Sequence, residues 1–238
     1  MARTFEDGMV RHLREFNPHH CEVIGEAGLR EVIRAAIVRA AEYGFTTRGP
    51  VRLYLDLIFM FGHDFDTDPL YPWAGEILNH GDGEDQMQRA ERLHATALRY
   101  ADAVAGPNHE FEKAALRRAQ SVSWQDLRLP PGSFEDGCVA RLREAHTHKY
   151  AYVGEDAVRG MIGEAVEKAQ AFSISAPEGR LLFVVMAFAL GHGFVADPLY
   201  PWVSGTLNNP AIKDPNRRAE RLCAKAKTYL ERVLANVA

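Results

Sequence analysis

The chain has 238 residues, 47% hydrophobic and 25% charged, with 28 basic against 32 acidic side chains and a formal net charge of −4. That is the composition of a globular chain, and it argues against a disordered polyelectrolyte, a nucleic-acid coat or a polybasic membrane patch. Three scattered cysteines (Cys21, Cys138 and Cys223), with no CxxC spacing, fit a reducing compartment rather than a disulfide framework.

In chain order, the opening MARTFEDGMVRHLREF lacks the apolar core of a signal peptide, so a cytoplasmic chain is expected. Leu29, Val32, Ile33, Ala36, Ile37 and Ala40 then mark one buried helix face, with Gly44 placed to end it. A helix apolar on nearly all sides follows over 51–61, Pro50 near its start and Gly62 at its end. After the run FGHDFDTDPLYPW, Pro72 is expected to open a short helix through Trp73. Ala90, Leu93, Ala97, Tyr100 and Val104 form a further helix face, which Gly106-Pro107 breaks. HEFEKAALRRAQSV can form another helix, and Pro130-Pro131 makes an extended stop. The longest apolar run, 181–190, is about half the roughly 20 residues that a membrane helix needs. No alternating run with hairpin turns occurs, so the expectation is an all-α fold with negligible β-structure.

From the phenylalanine after residue 130 onward the chain repeats itself. FGHDFDTDPLYPW (61–73) returns as LGHGFVADPLYPW (190–202), an offset of 202 − 73 = 129. The same gapless offset aligns FEDG at Phe5 and Phe134, and RAERL at Arg89 and Arg218, giving 38 identities over the 105 positions 5–109. Two homologous helical domains in tandem, 1–106 and 131–238, joined by an ordered helical linker over 107–130 and related by a pseudo-twofold, are therefore expected.

The densest motif is GHxFxxDPLYPW followed by an asparagine: Gly62, His63, Asp68, Pro69, Tyr71, Pro72, Trp73 and Asn79, then Gly191, His192, Asp197, Pro198, Tyr200, Pro201, Trp202 and Asn208. An aspartate before proline suits a turn whose carboxylate accepts a nearby backbone N–H, and the tyrosine and tryptophan should lock the loop onto the core. His63 and His192 are placed to bond the last carbonyls of the apolar helix, or else to act as ligand or general base. Asp64-x-Asp66-x-Asp68 mimics the start of a calcium loop, but Pro69 stands where glycine is needed and Gly75 where a bidentate glutamate is needed. The acidic run instead suggests a solvated loop tip meeting a basic partner through His63, Asp64, Asp66 and Asp68. Asp56 is expected to pair with Arg52 one turn back. His19-His20-Cys21 and His146-x-His148 lack zinc spacing and are read as helix-end histidines. No metal and no cofactor is called for.

The charge divides unevenly, −6 over residues 1–106, +1 over 107–130 and +1 over 131–238. The first copy is where a basic partner would dock.

The run YGFTTRGPVRLYLDLIFMFGHDFDTDPLYPWAGEIL, with the AERL helix after it, resembles a small helical domain family encoded beside bacterial type VI secretion genes. Gly62, Phe65, Asp66, Pro69, Pro72, Trp73 and Leu78 match its pattern, and the second copy departs from it at Ser173, Val195 and Val203. The resemblance implies a cognate immunity protein or an adaptor for a secreted toxin. The expected function is thus non-enzymatic protein binding, with no nucleic-acid or membrane partner. The alternative is a hydrolase or metal-dependent enzyme using His63 or His192 with nearby carboxylates.

Overall fold

A computed structural model describes residues 2–79 and 83–237. The His19 side chain, one of the helix-end histidines above, lies outside the described residues. Among those described the fold is all α, with no strand. The helices are α1 (Ala2–Phe16), α2 (Pro18–Glu42), α3 (Arg48–Phe61), α4 (Pro72–Asn79), α5 (Gln86–Ala105), α6 (Glu110–Ser121), α7 (Phe134–Ala145), α8 (Thr147–Val153), α9 (Glu155–Ala171), α10 (Pro177–Leu190), α11 (Pro201–Leu207) and α12 (Pro215–Val237). None is long and apolar enough to cross a membrane.

Helix boundaries recur at the 129-residue offset because the residues that set them recur. Gly62 and Gly191 end α3 and α10 at φ 99° and 98°, with extended ψ, a region open essentially to glycine. Gly25 kinks α2 at φ 72° and ψ 168°, and its counterpart Gly154 separates α8 from α9 at φ 87° and ψ 156°. Asn17 caps α2 by accepting from the His20 N–H, and His146 caps α8 by accepting from the Lys149 N–H. At the end of α2 the left-handed residue is Gly44, whereas Ser173 occupies that conformation after α9. Of the apolar face read on α2, Leu29, Val32, Ile33, Ala36 and Ala40 are buried and Ile37 is half-buried.

The compact units of the fold do not follow the repeats. One comprises residues 1–99 with 193–201, and the other 100–192 with 202–238. In the first, α1, α2 and α3 pack on one another, and Tyr54, Leu55, Leu57 and Ile58 of α3 lie in the interior. Segment 193–201 joins this unit because the Asp197 carboxylate accepts the His63 N–H at 2.9 Å and the Tyr200 ring meets the edge of His20 at 5.5 Å. In the second unit, α10 packs on α9, α7 and α12, with Leu181, Phe183 and Val184 fully enclosed. The segment expected as a linker, 107–130, belongs to this unit, since α6 packs against α12 and α7. Phe111 of α6 also stacks on His148 at 3.5 Å.

Candidate functional site

The segment after α3 folds as a pair of local turns. Asp68 accepts the Leu70 N–H through Oδ1 at 2.8 Å, an Asx-turn that Pro69 cannot contest because it has no donor. Asp197 makes the same bond to the Leu199 N–H at 2.8 Å. Pro72 and Pro201 then begin α4 and α11, which Asn79 and Asn208 close by donating to the carbonyls of Gly75 and Ser204. Tyr71 and Tyr200 are buried, and Tyr71 packs on Phe61 at 5.0 Å. Trp73 and Trp202 are only half-buried. Trp73 meets Phe61 edge-on at 5.8 Å and Trp202 stacks on Tyr229 at 5.7 Å. The tyrosine is therefore the deeper anchor of each loop.

The acidic run is not a solvated tip. Asp66 and Asp68 are each 3% exposed. One oxygen of Asp66 takes three donors: Arg39 Nε–H at 2.7 Å, Tyr43 O–H at 2.8 Å and Tyr54 O–H at 2.8 Å. Its other oxygen is buried with no hydrogen-bond partner among the described residues. Burial, with Asp66 beside it, pushes the Tyr43 phenol up to about 12 and raises Tyr54 further, while the hydrogen bond to Asp66 raises Arg39. Of the four residues expected to meet a partner, His63 and Asp64 keep surface, their side chains 25% and 40% exposed.

His63 does not bond the helix-end carbonyls as expected. Glycine does that instead, Gly62 N–H reaching Ile58 O and Gly191 N–H reaching Ala187 O. The His63 ring pairs with Asp64 (Nδ1···Oδ1 3.0 Å), which raises its pKa. Its backbone N–H holds Asp197, whose carboxyl burial pushes up to about 6. Gly193 lies against the Asp64 carboxylate, so that a side chain there would collide with it. In the second unit, His192 Nδ1 stands 3.4 Å from Glu164, and its carbonyl accepts from Lys168 at 2.6 Å.

Sequence reasoning missed a second cluster. Asp56 does lie near Arg52, but at 3.9 Å, and its short partner is His12 Nε2 at 2.6 Å. The other His12 nitrogen, Nδ1, accepts from Arg52 Nη2 at 3.1 Å, which places the ring proton on Nε2 facing the carboxylate. Burial raises the Asp56 pKa, opposed by His12, Arg52 and His94. The repeat held the signal. At the matched positions of the second copy stand Arg141, Leu181, Val185 and Cys223, so all four members change together.

All three cysteines are buried, and burial pushes the Cys21 and Cys138 thiols up to about 11 and 12. This is the opposite of what a nucleophile needs. No group of three His, Cys, Asp or Glu side chains that could hold a metal ion occurs among the described residues. An open depression beside the start of α12, lined by Ile212, Lys213, Asp214, Arg217, Glu220 and Arg221, includes none of the motif residues. The chain matches no known family model, no curated protein and no solved structure.

Proposed function

We propose that the chain is a non-enzymatic protein-binding protein, acting in the cytoplasm as an immunity protein or adaptor for a toxin exported by a bacterial type VI secretion system. The observation that carries this reading is the employment of the three buried loop carboxylates. Asp66 is occupied by Arg39, Tyr43 and Tyr54, Asp68 by the Leu70 N–H, and Asp197 by the Leu199 and His63 N–H groups. A general base must reach a substrate proton, and these oxygens are spent on shaping the chain. This supports reading the buried part of the motif as architecture, with the surface, His63 and Asp64 included, left to carry function. Surface divergence between two copies that share helix boundaries and the DPLYPW turn suits a binder in which one copy specialises. The toxin context rests on the resemblance of YGFTTRGPVRLYLDLIFMFGHDFDTDPLYPW to the domain encoded beside type VI genes.

The test is co-purification of the tagged chain with the product of the adjacent gene. Retention in fixed stoichiometry at about micromolar concentration, corresponding to roughly 8 kcal/mol of binding, is expected. If nothing from the locus is retained, the immunity and adaptor readings fall together.

A further inference from the structure

The open depression beside the start of α12 has a counterpart in the first copy, and the two carry opposite charge. Both helices open alike. Asp85 caps α5 by accepting the Met87 and Gln88 N–H groups, and Asp214 caps α12 by accepting that of Asn216. The residue before the first cap is Glu84, whose carboxylate is spent on Arg92: Nη1 donates to Oε1 at 3.1 Å, and Nη2 lies 3.1 Å from Oε2. This two-pronged pair is the strong geometry for a guanidinium and a carboxylate. At the 129-residue offset the arginine is kept as Arg221, but Lys213 replaces Glu84 and Arg217 replaces Gln88. The carboxylate is thus exchanged for a cation, and a further cation is added one turn before Arg221. The depression is lined by three cations and two carboxylates, a net +1, where its counterparts hold one cation and four carboxylates, a net −3.

The two acids that remain do not answer these cations. Asp214 is committed to its cap, and Glu220 is matched by Glu91, so it is common to both copies. Neither forms an ion pair with Lys213, Arg217 or Arg221 among the described residues, and all three cations are exposed. Arg218 donates to the carbonyls of Leu207 and Ile212, which fixes the loop that walls the depression. Half-buried Lys225 lies one turn past Arg221. Arg217, Arg221 and Lys225 therefore follow one another at i, i+4 and i+8 along one side of α12, about 12 Å in all. That is the reach of about four extended residues. The depression itself has a volume of about 850 Å³, room for a run of side chains and more than a single ion fills.

We propose that Arg221, with Arg217 and Lys213, binds an acidic segment of a protein partner, one of whose carboxylates takes at Arg221 the place that Glu84 fills at Arg92. The first copy carries its own occupant for that fork, and the second copy leaves the fork to a partner. This inference rests on the protein-binding reading and assigns it a surface.

The test uses the full chain and two capped synthetic peptides, one with a run of about four glutamates and the other with the same run as glutamine. At low ionic strength the glutamate peptide should bind about tenfold tighter, the yield of several exposed pairs, and should lose that advantage in about 0.5 M salt. Lys213→Glu installs the carboxylate of the first copy and should weaken glutamate-peptide binding about tenfold. Lys213→Gln, which only removes a charge, should weaken it by about threefold or less. Arg221→Lys keeps the charge without the fork and should cost about threefold. These positions are exposed, and unchanged urea midpoints separate lost binding from lost fold. Equal binding of the two peptides, or indifference to Lys213→Glu, overturns the proposal. So does a single-stranded DNA of about 12 nucleotides that binds tighter than the glutamate peptide, or inorganic phosphate that displaces the peptide at about equal concentration, since the site would then serve a nucleic acid or a free anion. A locus partner that co-purifies equally with the Lys213→Glu and wild-type chains overturns this interface and leaves the binding function standing. Absence of any locus partner, with the peptide preference intact, does the reverse.

Discussion

Asp66→Asn is a near-isosteric change at a side chain with 0% exposure, so its cost measures polar matching with little contribution from volume. The carboxylate presents one oxygen to Arg39, Tyr43 and Tyr54, and the other meets no hydrogen-bond partner among the described residues. A carboxamide has two orientations here. One aims its NH2 at three donors, and the other buries that NH2 without an acceptor. Either strands a polar group, at about 1–3 kcal/mol, and hydrogen bonds to a charged acceptor weaken besides. Arg39 is 38% exposed and can recover hydration, which keeps the total near 3 kcal/mol, the lower edge for breaking a buried pair. The second copy supplies the control. At the matched positions it carries Lys168, Phe172, Phe183 and Val195, and its Phe172 and Phe183 rings stand 6.3 Å apart against 6.1 Å for Tyr43 and Tyr54. Transplanting all four (Arg39→Lys, Tyr43→Phe, Tyr54→Phe, Asp66→Val) removes the two buried phenol donors and the acceptor together, leaves a part-exposed ammonium that water can hydrate, and should change stability by no more than about 1 kcal/mol. Urea unfolding of the full chain, followed by far-UV circular dichroism, compares the two. A loss below about 1 kcal/mol for Asp66→Asn, or a quadruple variant as damaged as the single one, would refute the account of Asp66 as a charge satisfied only by this quartet.

His146 caps α8 with a neutral ring, and burial, helped by Lys149, lowers its pKa from 6.5 to about 4. A lowered histidine pKa contributes stability above 6.5 that is lost as pH falls toward 4, because the unfolded chain takes up the proton first. His146→Asn, which installs the cap used at Asn17, should leave stability at pH 7.5 within about 0.5 kcal/mol and flatten the loss between pH 6.5 and 4; an unchanged slope in urea melts would count against the assignment. Gly25→Ala meets no atom within 4 Å but must hold φ 72° and ψ 168°, so pure backbone strain of about 1–3 kcal/mol should appear in its melting midpoint, and a neutral result would deny that the kink is rigid. Tyr71→Ala, at 4% exposure, should cost about 3–5 kcal/mol and exceed Trp73→Ala, the reverse of what side-chain size alone would suggest.

What the sequence revealed was what neighbours decide. The caps at Gly62 and Gly191, the Asx-turns at Asp68 and Asp197, and the helices opened by Pro72 and Pro201 all depend on residues within one turn, and their local pattern was readable. Asp66 was not, because its partners lie 27, 23 and 12 residues away, on α2, just past its end and on α3, while its immediate neighbours Asp64 and Asp68 make it look like part of a charged tip. Asp56 misled for the same reason: Arg52 was close in sequence, and His12, the shorter contact, is 44 residues off. In both cases comparison of the copies held the missing information: tyrosines become phenylalanines where Asp66 becomes valine, and His12, Arg52 and His94 are replaced where Asp56 becomes valine. The compact units differ from the repeat for another reason. The repeat records likeness along the sequence, whereas the compact units record which segments cohere, and 193–201 coheres with the first.

That discontinuity has a consequence during synthesis. Residues 1–99 leave the ribosome about 100 residues before the segment 193–201 that completes their unit, a delay of roughly 5–20 s at ordinary elongation rates. Throughout that interval the His63 N–H lacks Asp197 and the His20 ring lacks Tyr200. A nascent chain ending at the repeat boundary is therefore an unfinished body with an open seam, and closure must await a contact spanning 134 residues of sequence. Slow, late-closing topology of this kind is where a chaperone at the ribosome exit has most to protect, and where a premature stop leaves the stickiest fragment.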